Sequence, residues 1–392
     1  MPDIAPLIPV RPTAADAERA LRCLRDTFAT FCFADAQTTR VPDLDTELVD
    51  TNSKPGADES AFLTALLTAA SRPSLTLAPG VLIRAAPLSG AGSGKGLLAR
   101  CISLIAFGRE PTAFTSGGNA HELEKRLAAE LMTGGPVLFL DNLNNMAFRS
   151  DLLASAITER PARVRILGKS EMVPLNATAF VILTGNGLSV SEDLARRFIS
   201  IELDPRTEDP ESRTFATDIR ADVKRRRREL LAAALTIWRW GRLDQSIKAG
   251  RPLGSFEQWC SWVRDPLLAL GCRDPVDRVG EAKQRDGRRQ AITELFGIWL
   301  ERHAGQPVPV NELHDDVKKV LDPQDRGRQF MAAQLEKLTG TRMAGHILTR
   351  QAPAGKWGRA TFSLQRTGEG QLHGGHRGHR PNNHGMGHDD PD

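Results

Sequence analysis

The chain has 392 residues, of which 40% are hydrophobic and 26% charged, and its formal net charge is +4. This composition is typical of a soluble globular protein with two or three domains, and so mild a charge neither demands nor excludes a nucleic-acid partner. No run approaches the roughly 18 apolar residues that a membrane-spanning helix needs, and the amino terminus lacks the apolar core of a signal peptide. We therefore expect a cytoplasmic protein without membrane contacts.

The first 75 residues predict helices and little else. Apolar side chains recur at helical spacing over 14–33 and again over 61–71, with a polar stretch between them. This is too little for an independent fold, so residues 1–75 are predicted to form an N-terminal helical segment that joins the next domain. Because the segment is short and weakly patterned, it could be the remnant of a longer protein.

From about residue 76 to residue 205 the pattern alternates between strands and helices. Apolar runs over 80–85, 136–140 and 180–184 predict buried strands, and each is followed by polar residues. This alternation predicts an α/β fold with a parallel sheet and helices on both faces. Ligands of such sheets bind at the carboxyl ends of the strands, so the three polar clusters are expected at one edge.

A glycine-rich loop, SGAGSGKG, follows the first strand and precedes a helix predicted over 97–107. Glycines allow a loop to wrap phosphates with its N–H groups, and a lysine at this point reaches the terminal phosphates. The predicted nucleotide-binding residues are Ser89, Gly90, Ala91, Gly92, Ser93, Gly94, Lys95 and Gly96. The alternative is a strand-to-helix turn that binds nothing.

The loop departs from the pattern G-x-x-x-x-G-K-[ST] at two positions. Ser89 replaces the first glycine, which is a modest change. Gly96 replaces the serine or threonine whose hydroxyl normally binds Mg²⁺. Weakened hydrolysis is therefore one expectation for this site.

The second strand, VLFL, ends in Asp141 and resembles a Walker B strand, whose aspartate holds Mg²⁺ through water. Asp141 is therefore the predicted metal residue. Many such ATPases have a glutamate next, which polarises the attacking water, but this chain has Asn142. An amide can orient a water and cannot accept its proton, so the sequence identifies no general base.

Two further motifs follow the third strand. Asn186 stands where a sensor asparagine would contact the γ-phosphate or the attacking water, although an Asn-Gly turn is the simpler explanation. Arg196 and Arg197 come next, before another strand. A guanidinium supplied across a subunit interface can act as an arginine finger, and the alternative is a surface pair held by Glu192 and Asp193.

A β-hairpin is predicted between the second and third strands, over 164–175 with Lys169 at its tip and Arg165 beside it. In a ring of subunits, such hairpins would project cations into the pore, where they could hold the phosphates of single-stranded DNA. A solvated turn is the alternative.

The order of these motifs resembles the helicase-type AAA+ ATPase module of phage, plasmid and genomic-island replication proteins. LFLDNLN, RILGKSEMVPL, TGNG and DLARRF carry the resemblance, which covers about residues 76–366. It implies ATP and Mg²⁺ as cofactors, a ring-shaped homo-oligomer such as a hexamer, and Asn142 and Gly96 as features of the lineage. The module is often fused to a primase, but no primase motif is visible, so a separate primase is a candidate partner.

Beyond residue 205 the pattern changes twice. Residues 206–285 predict a helical region, and residues 286–366 predict three helices followed by two strands, as in a winged helix that binds duplex DNA. The helices are expected over 288–303, over 311–320 with Asn311 as cap, and over 325–338. Arg326 and Arg328 would face the groove and Lys356 the phosphates, unless this domain packs against protein instead. Residues 367–392 predict a disordered tail rich in histidine and glycine.

The resulting hypothesis is an ATP-driven DNA helicase or translocase that replicates a mobile genetic element. Its first rival is a replication initiator or helicase loader that binds ATP, hydrolyses it weakly and contacts DNA through the winged helix. A third hypothesis is an ATPase that regulates transcription.

Overall fold

The computed structural model describes residues 8–41, 46–85, 92–114, 120–165, 172–207, 210–213, 215, 217–278, 287–352 and 359–367. The chain divides into two compact units, Met1–Asp286 and Gly287–Asp392. Among the described residues, no helix is both long and apolar enough to cross a membrane.

The first unit contains, in chain order, α1 (Ala14–Phe28), β1 (Thr38–Val41), β2 (Thr46–Val49), α2 (Ala57–Ser71), β3 (Gly80–Ala85), α3 (Lys95–Phe107), β4 (Ala113–Phe114), α4 (Ala120–Thr133), β5 (Val137–Leu140), β6 (Ala147–Phe148), α5 (Asp151–Thr158), β7 (Ala162–Arg165), β8 (Met172–Leu175), β9 (Phe180–Asn186), β10 (Ser189–Val190), α6 (Glu192–Ala195), β11 (Phe198–Leu203), α7 (Ile219–Leu243), α8 (Glu257–Trp259) and α9 (Asp265–Ala269). A π-helical turn, Cys260–Arg264, joins α8 to α9.

The central sheet of the first unit has five parallel strands in the spatial order β11, β3, β9, β5, β4. Every residue of β3 is buried, as expected for a parallel strand covered on both faces. The prediction of an α/β fold with a parallel sheet flanked by helices is confirmed. The short edge strand β4 was not predicted, because two residues give no periodic signal.

The position of β9 decides which side chains meet. This strand lies between β3 and β5, so that Thr184 pairs with Ile83 on one side and Leu183 pairs with Leu140 on the other. Because the strands are parallel, β3, β9 and β5 all end at the same edge of the sheet. The segments that follow them are therefore brought together.

The hairpin predicted between the second and third strands is present as the antiparallel pair β7 and β8, in which Arg165 lies opposite Met172. Its tip, residues 166–171, falls outside the described residues. A second hairpin, β1 with β2, lies in the stretch that the sequence marked only as polar.

The N-terminal segment and the helix α7 share one hydrophobic core with the sheet. Phe28 and Phe62 contact each other at a ring-centroid distance of 4.5 Å, and both are fully buried in this core together with Ile237 of α7. Beside it, the backbone N–H of Ala34 donates to the carbonyl of Glu202 in β11, at 3.0 Å. Residues 14–71 are thus an integral part of the first unit.

The second unit contains α10 (Gly287–His303), β12 (Val308–Pro309), α11 (Asp315–Leu321), α12 (Arg328–Leu338), β13 (Arg342–Met343), β14 (His346–Gln351) and β15 (Thr361–Arg366). Its strands form an antiparallel sheet in the order β12, β15, β14, β13. Trp299, Leu335 and Phe362 are buried in its separate hydrophobic core.

Two predicted helix starts in the second unit are wrong. Asn311 lies in a short 3-10 turn, and α11 begins after His314, whose ring nitrogen accepts from the backbone N–H of Asp316 at 3.2 Å. The last helix begins at Arg328 because Asp325 and Gly327 have φ values of 52° and 97°, which interrupt a right-handed helix. Arg326 therefore precedes the helix instead of lying within it.

Candidate nucleotide-binding site

The glycine loop lies between β3 and α3, as the sequence predicted. Gly92 and Gly94 have φ values of 71° and 89°, a region that side chains with a Cβ atom avoid, and Gly94 caps α3. Lys95 is the first residue of the helix. Ser89, Gly90 and Ala91, also predicted to bind nucleotide, lie outside the described residues.

A cavity of about 400 Å³ opens at this edge of the sheet. The residues that line it are Gly92, Ser93, Gly94, Lys95, Gly96, Asp141, Asn142, Asn144 and Asn186. The structure therefore brings together the loop, the aspartate after β5 and the asparagine at the end of β9. Asn144 is the addition that the sequence reasoning missed, although it stands in the same DNLNN run as Asp141.

Lys95 is almost fully buried at the base of the loop. Its Nζ donates a hydrogen bond to the Ser93 hydroxyl oxygen at 2.9 Å. Burial lowers the pKa of Lys95, while the nearby Asp141 carboxylate acts in the opposite direction. An ammonium group with this little water around it gains strongly from an anionic ligand.

The Asp141 carboxylate is held in place from the neighbouring strand. Its Oδ1 accepts from the Thr184 hydroxyl at 2.5 Å and from the backbone N–H of Asn142 at 3.1 Å. Its Oδ2 lies 3.5 Å from Nη2 of Arg100. Neither Thr184 nor Arg100 was singled out in the sequence, because nothing there shows which strand borders Asp141.

Gly96 faces this carboxylate. A Cβ atom at position 96 would lie 3.6 Å from Asp141 Oδ2 but only 2.7 Å from Nη1 of Arg100. The same Nη1 donates to the Gly96 carbonyl at 3.0 Å. The Arg100 guanidinium thus lies in contact with the place that the first side-chain atom of a serine or threonine at position 96 would take.

The donor groups of the cavity fit Mg²⁺ in part. Asp141 is the only carboxylate among the described residues that line it, and the described residues contain no cluster of three or more histidine, cysteine, aspartate or glutamate side chains suited to a metal. Mg²⁺ is commonly held by one or two carboxylates, phosphate oxygens and water. Asp141 could therefore hold the ion only together with a phosphate ligand.

Asn142, Asn144 and Asn186 complete the wall of this cavity. The backbone N–H of Asn186 donates to Asn144 Oδ1 at 2.8 Å, whereas Oδ1 of Asn186 is buried and has no hydrogen-bond partner among the described residues. Asn142 has a φ of 60° and turns its backbone N–H towards Asp141. A buried amide oxygen without a partner is rare, so the Asn186 side chain is a candidate ligand-binding group.

Arg196 and Arg197 do not line this cavity. They line another, of about 450 Å³, together with Arg251 and Asp277. Both guanidinium groups lie 2.5 Å from Asp193 Oδ1. Although burial raises the pKa of Asp193, the hydrogen bonds and charges of Arg197 and Arg196 together lower it.

The predicted DNA-binding residues are described only in part. Lys169 and Lys356 lie outside the described residues, and of Arg165 only the backbone, at the end of β7, is described. Arg326 and Arg328 are exposed in the second unit, and the Arg326 guanidinium lies 4.6 Å from the centre of the Phe330 ring.

No protein-family model matches the chain, and neither does any curated protein. Among solved structures, the chain is similar to the apo A form of the NrS-1 C-terminal region, with 12% identity and a TM-score of 0.43. That match covers 91% of this chain and 77% of the other.

Proposed function

We propose that the first unit binds and hydrolyses ATP in the cavity beside the glycine loop. The observation that supports this is the convergence of Lys95, Asp141 and Asn186, from three separate segments, on one cavity of about 400 Å³. A lysine and backbone N–H groups at a helix N-terminus, with a carboxylate opposite, suit a triphosphate.

Each residue has a distinct role in this proposal. The loop backbone and Lys95 bind the β- and γ-phosphates, and the partnerless amide oxygen of Asn186 orients the attacking water or, after rotation of the amide, its NH₂ contacts the γ-phosphate. Asp141 would hold Mg²⁺, which offsets the charge of the phosphates when bound. Asn142 positions water without taking its proton.

We further propose that the chain is a DNA helicase or translocase of a mobile genetic element, acting in replication as a ring such as a hexamer. Arg196 and Arg197 line a second cavity, away from the glycine loop. This position would suit an arginine finger that contacts the nucleotide bound to a neighbouring subunit. Lys169 and Arg165 on the hairpin would grip single-stranded DNA in the pore.

The second unit would act as a winged helix. Its order of helix, strand, two helices and a terminal pair of long strands is consistent with that fold, in which α12 would enter the major groove. Arg328 at the start of α12 and Arg326 in the segment before it would then face DNA, with Lys356 near the phosphates.

The proposal is tested by the rate of ATP hydrolysis with and without single-stranded DNA, alongside the mass of the assembly with ATP. DNA is expected to stimulate the rate, and Lys95→Ala to abolish it. Lys248→Ala removes an exposed lysine far along the chain from the loop and is the matched control. Absence of any hydrolysis that depends on Lys95 would contradict an ATPase.

One alternative has its own support. Asp141 is the only carboxylate among the described cavity residues, and Asn142 replaces the usual base. An initiator or loader that is switched by ATP binding would need no base. Tight ATP binding with negligible turnover, with and without DNA, would favour this function over a motor.

A further inference from the structure

Arg100 is one helical turn beyond Gly96 and points back over it. Residues four apart on a helix share a face, and here Nη1 of Arg100 donates to the Gly96 carbonyl at 3.0 Å. The same nitrogen lies 2.7 Å from the place where a Cβ atom at position 96 would be. The guanidinium can occupy this place because Gly96 has no side chain.

The other end of the guanidinium faces Asp141. Nη2 lies 3.5 Å from Oδ2, the carboxylate oxygen that Thr184 leaves free. The aromatic ring of Phe139 lies on one side of the Arg100 guanidinium, with its centre 5.4 Å from the guanidinium carbon. Gly96 and Asp141 both line the cavity, whereas Arg100 is not among its lining residues and adjoins the cavity through its contacts with these two.

We propose that Arg100 is a nucleotide-binding residue that replaces both the loop hydroxyl and part of the charge of the divalent cation. A guanidinium stays ionised at all relevant pH values and donates to two phosphate oxygens at once. Its side chain is 29% exposed, so it can exchange the Gly96 carbonyl for a phosphate oxygen. Nucleotide binding at this site therefore depends little on divalent cations.

This inference rests on the proposed nucleotide site and predicts how that site responds to metal removal. The test is the affinity for a fluorescent ATP analogue, measured with Mg²⁺ and again with a chelator. For the unaltered protein the two dissociation constants should agree within about tenfold. Arg100→Gln should weaken binding by more than about tenfold in the chelator and by clearly less with Mg²⁺.

Three matched variants sharpen the result. Arg109→Gln removes an exposed arginine just past the end of the same helix and should change neither constant. Arg100→Lys keeps the positive charge but cannot donate to two phosphate oxygens at once. Its dissociation constant in the chelator should lie between those of the parent and of Arg100→Gln. Gly96→Ser combined with Arg100→Gln restores the hydroxyl, and should bind well only with Mg²⁺.

The possible failures are distinguishable. If the parent binds the analogue with Mg²⁺ but loses it in the chelator, and Arg100→Gln behaves identically, the role of Arg100 is refuted while the nucleotide site stands. If the parent binds nothing under either condition and Lys95→Ala is no different, the proposed function fails as well. Thermal unfolding of each variant separates lost binding from lost folding.

Discussion

The Thr184 hydroxyl donates to Asp141 Oδ1 across 2.5 Å, from a strand adjacent to the one that Asp141 follows. The bond fixes one carboxylate oxygen and leaves the other directed at Arg100. A carboxylate held by an outer partner needs no reorientation when its ligand arrives. Thr184 is therefore a positioning residue for the proposed site.

Replacing Thr184 by valine should lower the rate of ATP hydrolysis by about 10- to 100-fold, the usual cost of losing an outer partner of a metal-binding group. Valine has nearly the same shape, so the melting temperature should change little. Thr184→Ser keeps the hydroxyl and should retain most of the activity. Equal rates for the valine and serine variants would show that the hydroxyl does not position Asp141.

The sequence could predict the parts of this site that lie within one segment. Lys95 and Asp141 follow apolar strands and Asn186 ends one, and this local signal in the sequence was enough to predict that they meet at one edge of the sheet. Thr184 and Arg100 could not be found in this way, since their roles depend on β9 lying beside β5 and on the empty space at Gly96.

The fold shows the same division. The apolar runs that predict the central strands can be recognised in the sequence without knowing which strands pair. The β1–β2 hairpin and the start of α12 depend on turn geometry, which the sequence pattern does not show. A residue with a left-handed backbone conformation, such as Asp325, cannot be recognised from its residue type alone.

Gly94 is expected to be essential to the loop. With a φ of 89°, an alanine there would cost roughly 1–2 kcal/mol of backbone strain. Its Cβ would also lie 3.3 Å from the Phe31 ring, a tight contact that either the ring or the loop would have to relieve by a small displacement. Gly94→Ala should weaken binding of the ATP analogue and lower the melting temperature of the first unit.

The control for Gly94 is the same substitution in a helix. Gly297 lies inside α10 with open space around it, so Gly297→Ala should stabilise the second unit by up to about 1 kcal/mol. Gly297→Ala should leave the binding of the ATP analogue unchanged. If Gly94→Ala bound the analogue as tightly as the parent, the loop would not need its left-handed residue.

The N-terminal helices are tied together by a buried ion pair. Arg25 donates from Nε and Nη2 to both carboxylate oxygens of Glu59, at 2.7 and 3.0 Å, and both side chains are almost fully buried. Glu59→Gln should destabilise the first unit by about 3–5 kcal/mol, because the buried Arg25 charge loses its carboxylate and keeps only the backbone carbonyls of residues 50, 51 and 53 as partners. Chemical denaturation measures this loss.

A double-mutant cycle tests the coupling. Arg25→Met with Glu59→Leu should cost clearly less than the sum of the two single changes, because no unpaired charge remains. Arg19 and Asp16 form an exposed pair on α1, and Arg19→Ala should change the free energy of unfolding by about 1 kcal/mol or less. Additive losses at Arg25 and Glu59 would contradict direct coupling.

Asp58 places a carboxyl group in one of the most buried parts of the first unit. Its Oδ1 accepts from the backbone N–H of Glu202 at 2.9 Å, and its Oδ2 lies 2.8 Å from the Arg278 guanidinium. Burial nevertheless raises the pKa of Asp58 to about 7, and the carboxylates of Asp35 and Glu202 act in the same direction. The folded state therefore holds a proton here that the unfolded chain releases at a lower pH.

The free energy of unfolding should consequently fall as the pH rises from about 4 to about 7, because the folded state binds the additional proton in that window. The loss attributable to Asp58 should be at most roughly 4 kcal/mol. It is measured as the difference between the parent and Asp58→Asn in denaturant unfolding at both ends of the window.

Asp58→Asn, which keeps an acceptor for the Glu202 N–H, should make the pH dependence shallower, whereas Asp26→Asn at an exposed position should leave it unchanged. Parallel curves for the parent and Asp58→Asn would mean that Asp58 is ionised throughout and that Arg278 outweighs its burial.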